Sequence, residues 1–407
     1  MHLRPALAPL ALVAALSAST AKADAVIEWN RTTTRIVAEA KALPPMANRT
    51  VALVQTAVFE ATNAITRRYP AGPDAAKAPA GASVDAAVAA ATRTVMLQTM
   101  PAQQAAIDAA YTSAIAKLAD DASRRDGIAV GDAAARAVLA SRAADVVTAP
   151  EQYRPATQPG VYVPTAVPAV PQWPTRRPWL LRDAAQLRPV PPPALDSATW
   201  ARDYNEVKAL GGKTGSRRSE AQTGMAQFWE ATLPVIYFGV VHSVADRPGR
   251  DVTRNARLMM AAAQAMDDAL IAVFDAKYHY NFWRPITAIR NGDRDDNPAT
   301  ERAPSWSPFV DTPMHPEYPC AHCIVASSLG TVLKSELGTD AAPVLATASY
   351  TAKDARREWK TIDEFVQEVA DARVYDGVHF RTSTEVAIDM GRKVGKLAAE
   401  RHRLAVP

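Results

Sequence analysis

The chain has 407 residues, 48% of them hydrophobic, and a formal net charge of +4 at pH 7. Because no basic run or stripe accompanies this small excess of cations, the sequence lacks the electrostatic footprint of a nucleic-acid-binding protein. The two cysteines, Cys320 and Cys323, are too few for a disulfide framework, so core packing must provide most of the stability.

The first 23 residues have the pattern of a secretory signal peptide. Arg4 lies in a short basic start, the residues from Ala6 to Ala15 are almost all apolar, and Ala21-Lys22-Ala23 offers a small-x-small cleavage sequence. No later segment has the uncharged length that a membrane span needs. We therefore expect residues 1–23 to be removed and the mature protein to be periplasmic or secreted, without a transmembrane segment.

Residues 24–149 show helical periodicity and are predicted to form an N-terminal helical bundle. Apolar residues recur at steps of three and four positions in two stripes, which are Val51, Val54, Val58, Ala61 and Ile65, and then Ile107, Tyr111, Ile115 and Leu118. Pro101 precedes the second stripe, where the first turn of a helix accepts proline. A further helix is expected over residues 128–146.

Residues 150–195 are a proline-rich connecting segment, which includes the run Pro191-Pro192-Pro193. Proline lacks an amide donor and restricts the residue before it, so neither a helix nor a sheet is expected here. An extended segment packed on the surface and a flexible linker both fit this composition. Trp173 and Trp179 favour a docked segment.

Residues 196–407 are predicted to form a C-terminal helical bundle, with helices over 219–245 and 251–280. No stretch shows the sustained alternation that is typical of half-buried strands. Thr361-x-x-Glu364 and Thr382-x-x-Glu385 have the form of capping boxes, which predicts a helix start at each. The sequence therefore predicts an all-α protein of two packed helical bundles, joined by the proline-rich segment.

Lys277 and Arg284 are the first candidate site residues. They lie seven positions apart, close to two helical turns, which would let both project from one helix face. A solvated pair on a helix surface is the plain alternative. The stretch around them is, however, the most aromatic in the chain, with Phe274, Tyr278, Tyr280, Phe282 and Trp283. Because cations in an apolar neighbourhood need an anion, this passage predicts an anion-binding site.

The second candidate passage is Pro319-Cys320-Ala321-His322, ahead of an apolar run that begins at Cys323. Proline and small residues before a helix leave backbone amides free, and the helix dipole adds to their attraction for an anion. His322 could exchange a proton with that anion. A histidine at a helix start also serves as a cap or as a packing residue, and the sequence leaves this open.

The third passage contains Arg373 and His379, six positions apart. Six residues do not bring two side chains to one helix face, so a loop motif is predicted, in which Gly377 lets the chain turn back. Asp376 either orients a neighbouring side chain or serves the turn alone.

The three passages together resemble the superfamily of vanadium-dependent haloperoxidases and type 2 phosphatidic acid phosphatases, in its bacterial haloperoxidase-like branch. The family pattern is Lys-x6-Arg-Pro, then Pro-Ser-Gly-His, then Arg-x5-His. This chain matches it, in order, at Lys277, Arg284, Pro285, Pro319, His322, Arg373 and His379. More loosely, the resemblance covers nearly the whole chain after residue 23, and it implies a vanadium haloperoxidase-like fold.

The resemblance also implies a role for each matched side chain. Vanadate would be the cofactor, with phosphate able to occupy the same site, and Lys277, Arg284 and Arg373 would neutralise its oxygens. His379 would bond to vanadium, or attack phosphorus in a phosphatase, and His322 would be the acid/base. Backbone amides around Cys320 and Ala321 would complete the oxyanion cradle.

Two positions depart from the family pattern and two bear on the halide. Cys320 replaces the usual serine, and a thiol is the poorer hydrogen-bond donor, while Ala321 replaces glycine. His315, seven residues before His322, matches the bromide-oxidising members, and Phe274 lies where the family often has tryptophan. These two residues would form the halide pocket, and His315 would favour bromide or iodide.

Four functions are weighed. The first is a haloperoxidase that uses hydrogen peroxide and halide, in which Lys277 would be catalytic and polarise the peroxide bound to vanadate. The second is an acid phosphatase that forms a phosphohistidine at His379 with a phosphate ester. The third is a thiol redox protein with Cys320 and Cys323 at a helix start, which lacks the expected βαβ context. The fourth is a non-catalytic family member. The oligomeric state stays open, a homo-oligomer included, as does a disulfide between the two cysteines.

Overall fold

The computed structural model describes residues 24–71, 77–148, 150, 152–232, 234–338 and 341–404, so the expected signal peptide at 1–23 lies outside the described residues. The first part of the chain is helical, as predicted. Its elements are α1 (Ala25–Glu39), α2 (Pro44–Thr66), α3 (Val84–Thr99), α4 (Gln104–Ile115) and α5 (Ala122–Ser141). A short 3-10 turn at Pro101–Gln103 precedes α4.

The second part of the chain is also mainly helical. Its helices are α6 (Ala198–Leu210), α7 (Glu220–Trp229), α8 (Pro234–Ala245), α9 (Val252–Tyr280), α10 (Pro285–Arg290), α11 (Ala321–Leu337), α12 (Ile362–Tyr375) and α13 (Arg381–His402). The long helix predicted over 219–245 is therefore two helices, α7 and α8. The prediction for 251–280 is confirmed by α9.

Close helix packing in the first bundle depends on a glycine. A Cβ atom at Gly131 of α5 would lie 2.2 Å from the backbone oxygen of Ala87 in α3. Any other residue would push the two helices apart. Side-chain caps fix where helices of this bundle begin, since Ser83 accepts a hydrogen bond from Ala86 N and Asp121 accepts one from Arg124 N.

Helix α9 is the central element, because it packs against α2 of the first bundle and against α11 and α13 of the second. Most of its residues are buried, and the same apolar core includes side chains from each of these helices except α6 and α10, which pack in a second cluster. Helices α11 and α13 pack against each other more extensively than any other pair of these helices. His322 lies in the first turn of α11, and His379 lies just before the start of α13. The all-α prediction is confirmed, while the exact domain boundaries stay a prediction.

The proline-rich segment is docked, which decides between the two alternatives left by the sequence. The guanidinium of Arg176 makes two hydrogen bonds of 2.8 Å to the carboxylate of Asp267 in α9, and both side chains are fully buried. The adjacent Asp268 accepts hydrogen bonds from three consecutive backbone amides, those of residues 179–181. Two neighbouring carboxylates of α9 thus hold this segment against the core.

The described residues also contain one element that the sequence did not predict, an antiparallel hairpin of β1 (Leu345–Ser349) and β2 (Ala355–Trp359). Strand β2 contains two arginines and a glutamate and is mostly exposed, so its residues do not alternate between apolar and polar. Among the described residues, no single helix is long and apolar enough to cross a membrane. The sharply bent pair α7–α8 meets the length and composition test only when its two helices are taken together.

Candidate oxyanion-binding site

Lys277 and Arg284 meet at the site, but not as neighbours on one helix face. Helix α9 ends at Tyr280, and Asn281 then takes a left-handed conformation with φ of 49° that turns the chain. Arg284 is the residue before α10, with extended backbone. The predicted shared face is therefore wrong, because the turn at Asn281 replaces the second helical turn.

Both cations are buried and bound to the loop before α11. The Nζ atom of Lys277 donates to the backbone oxygens of Pro316 and Glu317, at 3.0 and 2.8 Å. Nη2 of Arg284 lies 2.9 Å from Nδ1 of His315, and its Nε donates to the His315 backbone oxygen. The lysine and the arginine thus hold residues 315–317 in place beneath the start of α11.

His379 is held between Arg284 and a carboxylate. Its Nδ1 lies 2.7 Å from Oε1 of Glu317, and its Nε2 lies 3.4 Å from Nη1 of Arg284. The same Glu317 oxygen accepts a hydrogen bond from the backbone amide of Phe380. A carboxylate at Nδ1 fixes the proton there and leaves the lone pair on Nε2, where it faces Nη1 of Arg284. Histidine ligands of metals often have a carboxylate at the other ring nitrogen in the same way.

Arg373 belongs to the last turn of α12, so the prediction that it lies in a loop is wrong. Gly377, with φ of +78°, reverses the chain after the helix, and a Cβ atom there would lie 2.2 Å from the oxygen of Gly211. The backbone amide of His379 therefore returns to donate to the Arg373 oxygen. Asp376 orients a neighbour, since its carboxylate lies 2.5 Å from Nη1 of Arg373.

His322 lies in the first turn of α11, and its Nδ1 is 2.9 Å from the hydroxyl of Tyr237 in α8. Cys320 is the residue before this helix and forms a disulfide with Cys323. The Cys320 backbone amide donates to the oxygen of Ser383. Cys320 therefore offers neither of the two hydrogen-bond donors expected for the oxyanion. Its sulfur carries no hydrogen, and its backbone amide already donates to Ser383.

The site carries more positive than negative charge. Burial and the neighbouring guanidiniums lower the pKa of Lys277 well below its usual value, and burial lowers that of Arg284 to about 10. Burial raises the pKa of both nearby carboxyls, Glu317 and Asp376, to about 7. Among the described residues, the buried Nε of Arg373 has no hydrogen-bond partner. A bound oxyanion would compensate these cations and accept from this free donor, so the residues present fit vanadate or phosphate.

The three histidines of the site are neutral at pH 7. Burial is the main cause that holds the pKa of His315, His322 and His379 well below 6.5, and the nearby cations act in the same direction. A neutral imidazole can ligate a metal or accept a proton, which an imidazolium cannot. The neutral form is the one that the predicted roles, ligation at His379 and proton transfer at His322, would require.

A cavity of about 200 Å³ opens beside these residues. Its lining includes Arg373, His379, His322 and Ala321, together with His315 and Phe274. The His315 and Phe274 rings meet edge to face, with centroids 5.1 Å apart. The residues predicted from three separate motifs thus surround one cavity, with Lys277 and Arg284 buried behind it, while their chemical roles remain predictions.

Two residues with clear contacts were missed by the sequence analysis. Glu317 holds His379, and Tyr237 contacts His322 from a helix 85 residues away in the chain. Glu317 lies inside the second motif, and a carboxylate placed between prolines beside a candidate ligand loop was the signal that could have found it. Tyr237 belongs to an apolar helix, where a tyrosine carries no such signal.

Comparisons with known proteins agree with this geometry. The family model described as "VCPO second helical-bundle domain" matches residues 257–406, which contain Lys277, Arg284, His322, Arg373 and His379. The structure of a bacterial vanadium-dependent iodoperoxidase is similar over 93% of this chain and 95% of that chain, with 25% identity and a TM-score of 0.78. No curated protein matches the chain significantly.

A bacterial vanadium-dependent chloroperoxidase shares the fold at lower identity. Its holo form is 19% identical, with a TM-score of 0.71, over 89% of this chain and 93% of that chain. Its apo form is 18% identical, with a TM-score of 0.72, over 88% and 92% of the two chains.

Proposed function

Because this chain belongs to the vanadium haloperoxidase-like family, we propose that it is a vanadate-dependent haloperoxidase that oxidises halide with hydrogen peroxide. The observation that carries the proposal is the pair formed by His379 Nδ1 and Glu317 Oε1 at 2.7 Å. It fixes the proton on Nδ1, so that the lone pair of Nε2, which faces Nη1 of Arg284 at 3.4 Å, could bond to a metal centre next to buried cations that require an anion.

Vanadate, when bound, would supply the Lewis-acidic centre that activates hydrogen peroxide. Arg373 would bind its oxygens with the free Nε donor, and Lys277 and Arg284 would supply positive charge from behind the cavity. Ala321 lines the cavity at the start of α11, where the helix dipole favours an anion. The cradle therefore lacks both donors expected at Cys320, the side chain and the backbone amide.

His322 is proposed to hold and move the proton. Its Nδ1 is engaged with the Tyr237 hydroxyl, which leaves Nε2 as the nitrogen available to the cavity. Because burial lowers its pKa, the free site has a neutral imidazole that can take a proton from bound peroxide.

Bromide and iodide are the proposed halides. His315 and Phe274 line the cavity together, and a neutral histidine beside an aromatic ring offers a polarisable, weakly hydrated place for a large anion. The similarity to an iodoperoxidase at 25% identity supports the same preference.

We also propose that the protein is exported, as residues 1–23 predict.

The experiment is a comparison of activities on one preparation. Protein loaded with orthovanadate is assayed for peroxide-dependent oxidation of iodide, bromide and chloride, and vanadate-free protein is assayed with p-nitrophenyl phosphate. We expect iodide and bromide oxidation that requires vanadate, with chloride slower.

Other outcomes identify the other functions. Phosphate release with a trapped phosphohistidine and no halide oxidation would establish the phosphatase. Disulfide exchange that is independent of vanadate would establish the redox protein. Failure to bind either vanadate or phosphate would leave a non-catalytic member of the family.

A further inference from the structure

The N-terminal half of α9 lines a second cavity, far from the oxyanion site. Its volume of about 220 Å³ is several times the space of a water molecule, which is about 30 Å³. Arg257 of α9 lines it, whereas Lys277 lies near the other end of the same helix. At a rise of about 1.5 Å per residue, these two side chains start roughly 30 Å apart along the helix. The second cavity is therefore separate from the oxyanion cradle.

Three arginines give this cavity a positive charge. They are Arg257, Arg401 in the last turn of α13 and Arg403 directly after that helix. Arg401 and Arg403 are exposed, and neither makes an ion pair within the part of the chain that the structure describes. In that part of the chain, no aspartate or glutamate lines the cavity either. An anion that entered would thus meet cations without a competing carboxylate.

Arg257 is held in a fixed position at this cavity. Its Nη1 donates to the backbone oxygen of Arg403 at 3.0 Å, and its Nη2 lies 3.4 Å from Oε2 of Glu336. The same carboxylate also binds Arg250 and Arg254, at 2.9 and 2.7 Å. Because one carboxylate serves three guanidiniums, it leaves them with a net positive charge.

The rest of the lining is mainly apolar and partly aromatic. Phe59 of α2 and Met260 of α9 are buried there, and Tyr69 follows α2. The Phe59 and Tyr69 rings have centroids 6.1 Å apart, and the guanidinium carbon of Arg257 lies 4.4 Å from the Tyr69 centroid. Positive charge and ring surface therefore adjoin each other, which suits a ligand that has both an anionic group and a flat apolar part.

We propose that this cavity binds a small organic anion that carries an aromatic ring, namely an aryl carboxylate. Its carboxylate is bound by the exposed guanidiniums of Arg401 and Arg403, whose planar forks match a carboxylate. Its ring packs on Phe59 and Tyr69. The proposal does not depend on the proposed function, because none of these residues belongs to the oxyanion site.

The first experiment compares three probes by calorimetry on the whole chain. Benzoate has the ring and the charge, benzamide has the ring without the charge, and acetate has the charge without the ring. We expect benzoate to bind at least about tenfold more tightly than either, because it gains both ring burial and charged hydrogen bonds. Benzamide or acetate binding as tightly as benzoate would overturn the proposal.

Variants of the lining locate the effect. Replacing Arg401 and Arg403 together by alanine should weaken benzoate binding at least about tenfold and leave benzamide binding unchanged. A role of these arginines in stabilising the helix end alone would not discriminate between the two probes. Arg392→Ala is the matched control, because Arg392 is an exposed arginine of α13 outside the cavity. Wild-type benzoate affinity in the double variant would contradict the proposal.

A second variant keeps the test valid if the double variant fails to fold. Tyr69→Leu removes a ring and leaves every arginine in place. It should lower the preference for benzoate over acetate at least about threefold, since less ring surface is buried. An unchanged preference would show that the ring does not pack on Tyr69 and would overturn the proposed binding mode.

The last experiment separates this cavity from the oxyanion site. Arg373→Ala should weaken vanadate binding and leave benzoate binding unchanged. If Arg373→Ala instead abolishes benzoate binding while the double variant retains it, benzoate occupies the oxyanion cavity and the inference fails. Benzoate binding that requires Arg401 and Arg403, in a protein that binds neither vanadate nor phosphate, would remove the proposed function and leave this inference standing.

Discussion

The Nδ1 atom of His379 lies 2.7 Å from Oε1 of Glu317, and both side chains are buried. One carboxylate oxygen also accepts the backbone amide of Phe380, so it fixes the ring and the chain that carries it. Glu317 itself belongs to the loop that Lys277 and Arg284 hold. The position of His379, the proposed metal ligand, therefore depends on the same loop that Lys277 and Arg284 bind. A change in this loop should disturb the histidine and both cations together.

Replacing Glu317 should weaken vanadate binding by about 10- to 100-fold, the usual cost of losing a carboxylate that orients a metal-binding histidine. We expect Glu317→Ala to show the larger loss and Glu317→Gln the smaller, because the glutamine oxygen can still accept from Nδ1. Equilibrium dialysis with vanadate measures both. Glu385→Gln, an exposed change on α13, is the control, and wild-type affinity in Glu317→Ala would refute the role of the carboxylate.

The Cys320 position should respond to serine. Cys320→Ser breaks the disulfide with Cys323 and restores a hydroxyl at the start of α11. A hydrogen bond to a charged partner contributes about 1.5–3 kcal/mol, so we expect vanadate to bind about tenfold more tightly or better. Cys323→Ser also breaks the disulfide without placing a hydroxyl at position 320, which makes it the matched control. Loss of an activity in Cys320→Ser that the wild type shows would mean that the sulfur is chemically required.

Anion binding should be accompanied by uptake of protons. In the free protein, burial lowers the pKa of Lys277 and brings that of Arg284 to about 10, and a bound anion opposes this shift by favouring the charged forms. Protons are then taken up on binding, so the affinity should fall as pH rises through the lowered pKa values. Calorimetry with phosphate, in two buffers of different ionisation enthalpy and above the second pKa of phosphate, measures the uptake. Proton release would contradict this account of the site.

Docking of the proline-rich segment should make a large contribution to stability. Asp267→Asn leaves the fully buried Arg176 without its two charged hydrogen bonds, which should cost about 3–5 kcal/mol of unfolding free energy. Asp275→Asn breaks a similar two-bond pair with Arg188 on the same helix, where the side chains are 32% and 13% exposed, and should cost about 1 kcal/mol or less. Urea unfolding of both variants tests this, and equal losses would show that burial does not decide the effect.

Local sequence patterns predicted a helix start correctly where the contacts that fix it are made by neighbouring residues. The capping box at Thr361 and Glu364 is confirmed, since both of its hydrogen bonds are formed within one turn. The matching pattern at Thr382 is wrong because other segments bind the first amides of α13. Thr382 N donates to Asp203, and Phe380 N donates to Glu317.

Sequence patterns did not predict the chain turns and the contacts between distant segments that position the site residues. The turn at Asn281 separates Lys277 from Arg284, although their seven-residue spacing matches a helix. The contact between Tyr237 and His322 exists only because α8 packs against α11. Motif order was thus enough to find the cavity, while the residues that orient the histidines required the packed structure.

The most direct test of the central claim is a vanadate titration of peroxide-dependent iodide oxidation by vanadate-free protein. The account predicts a rate that rises from the background to saturation with vanadate, that phosphate lowers by competition, and that His379→Ala abolishes. His402→Ala, which removes a histidine near the end of α13, should leave the titration unchanged. An iodide oxidation rate that is independent of vanadate, or equal in His379→Ala and wild type, would contradict it.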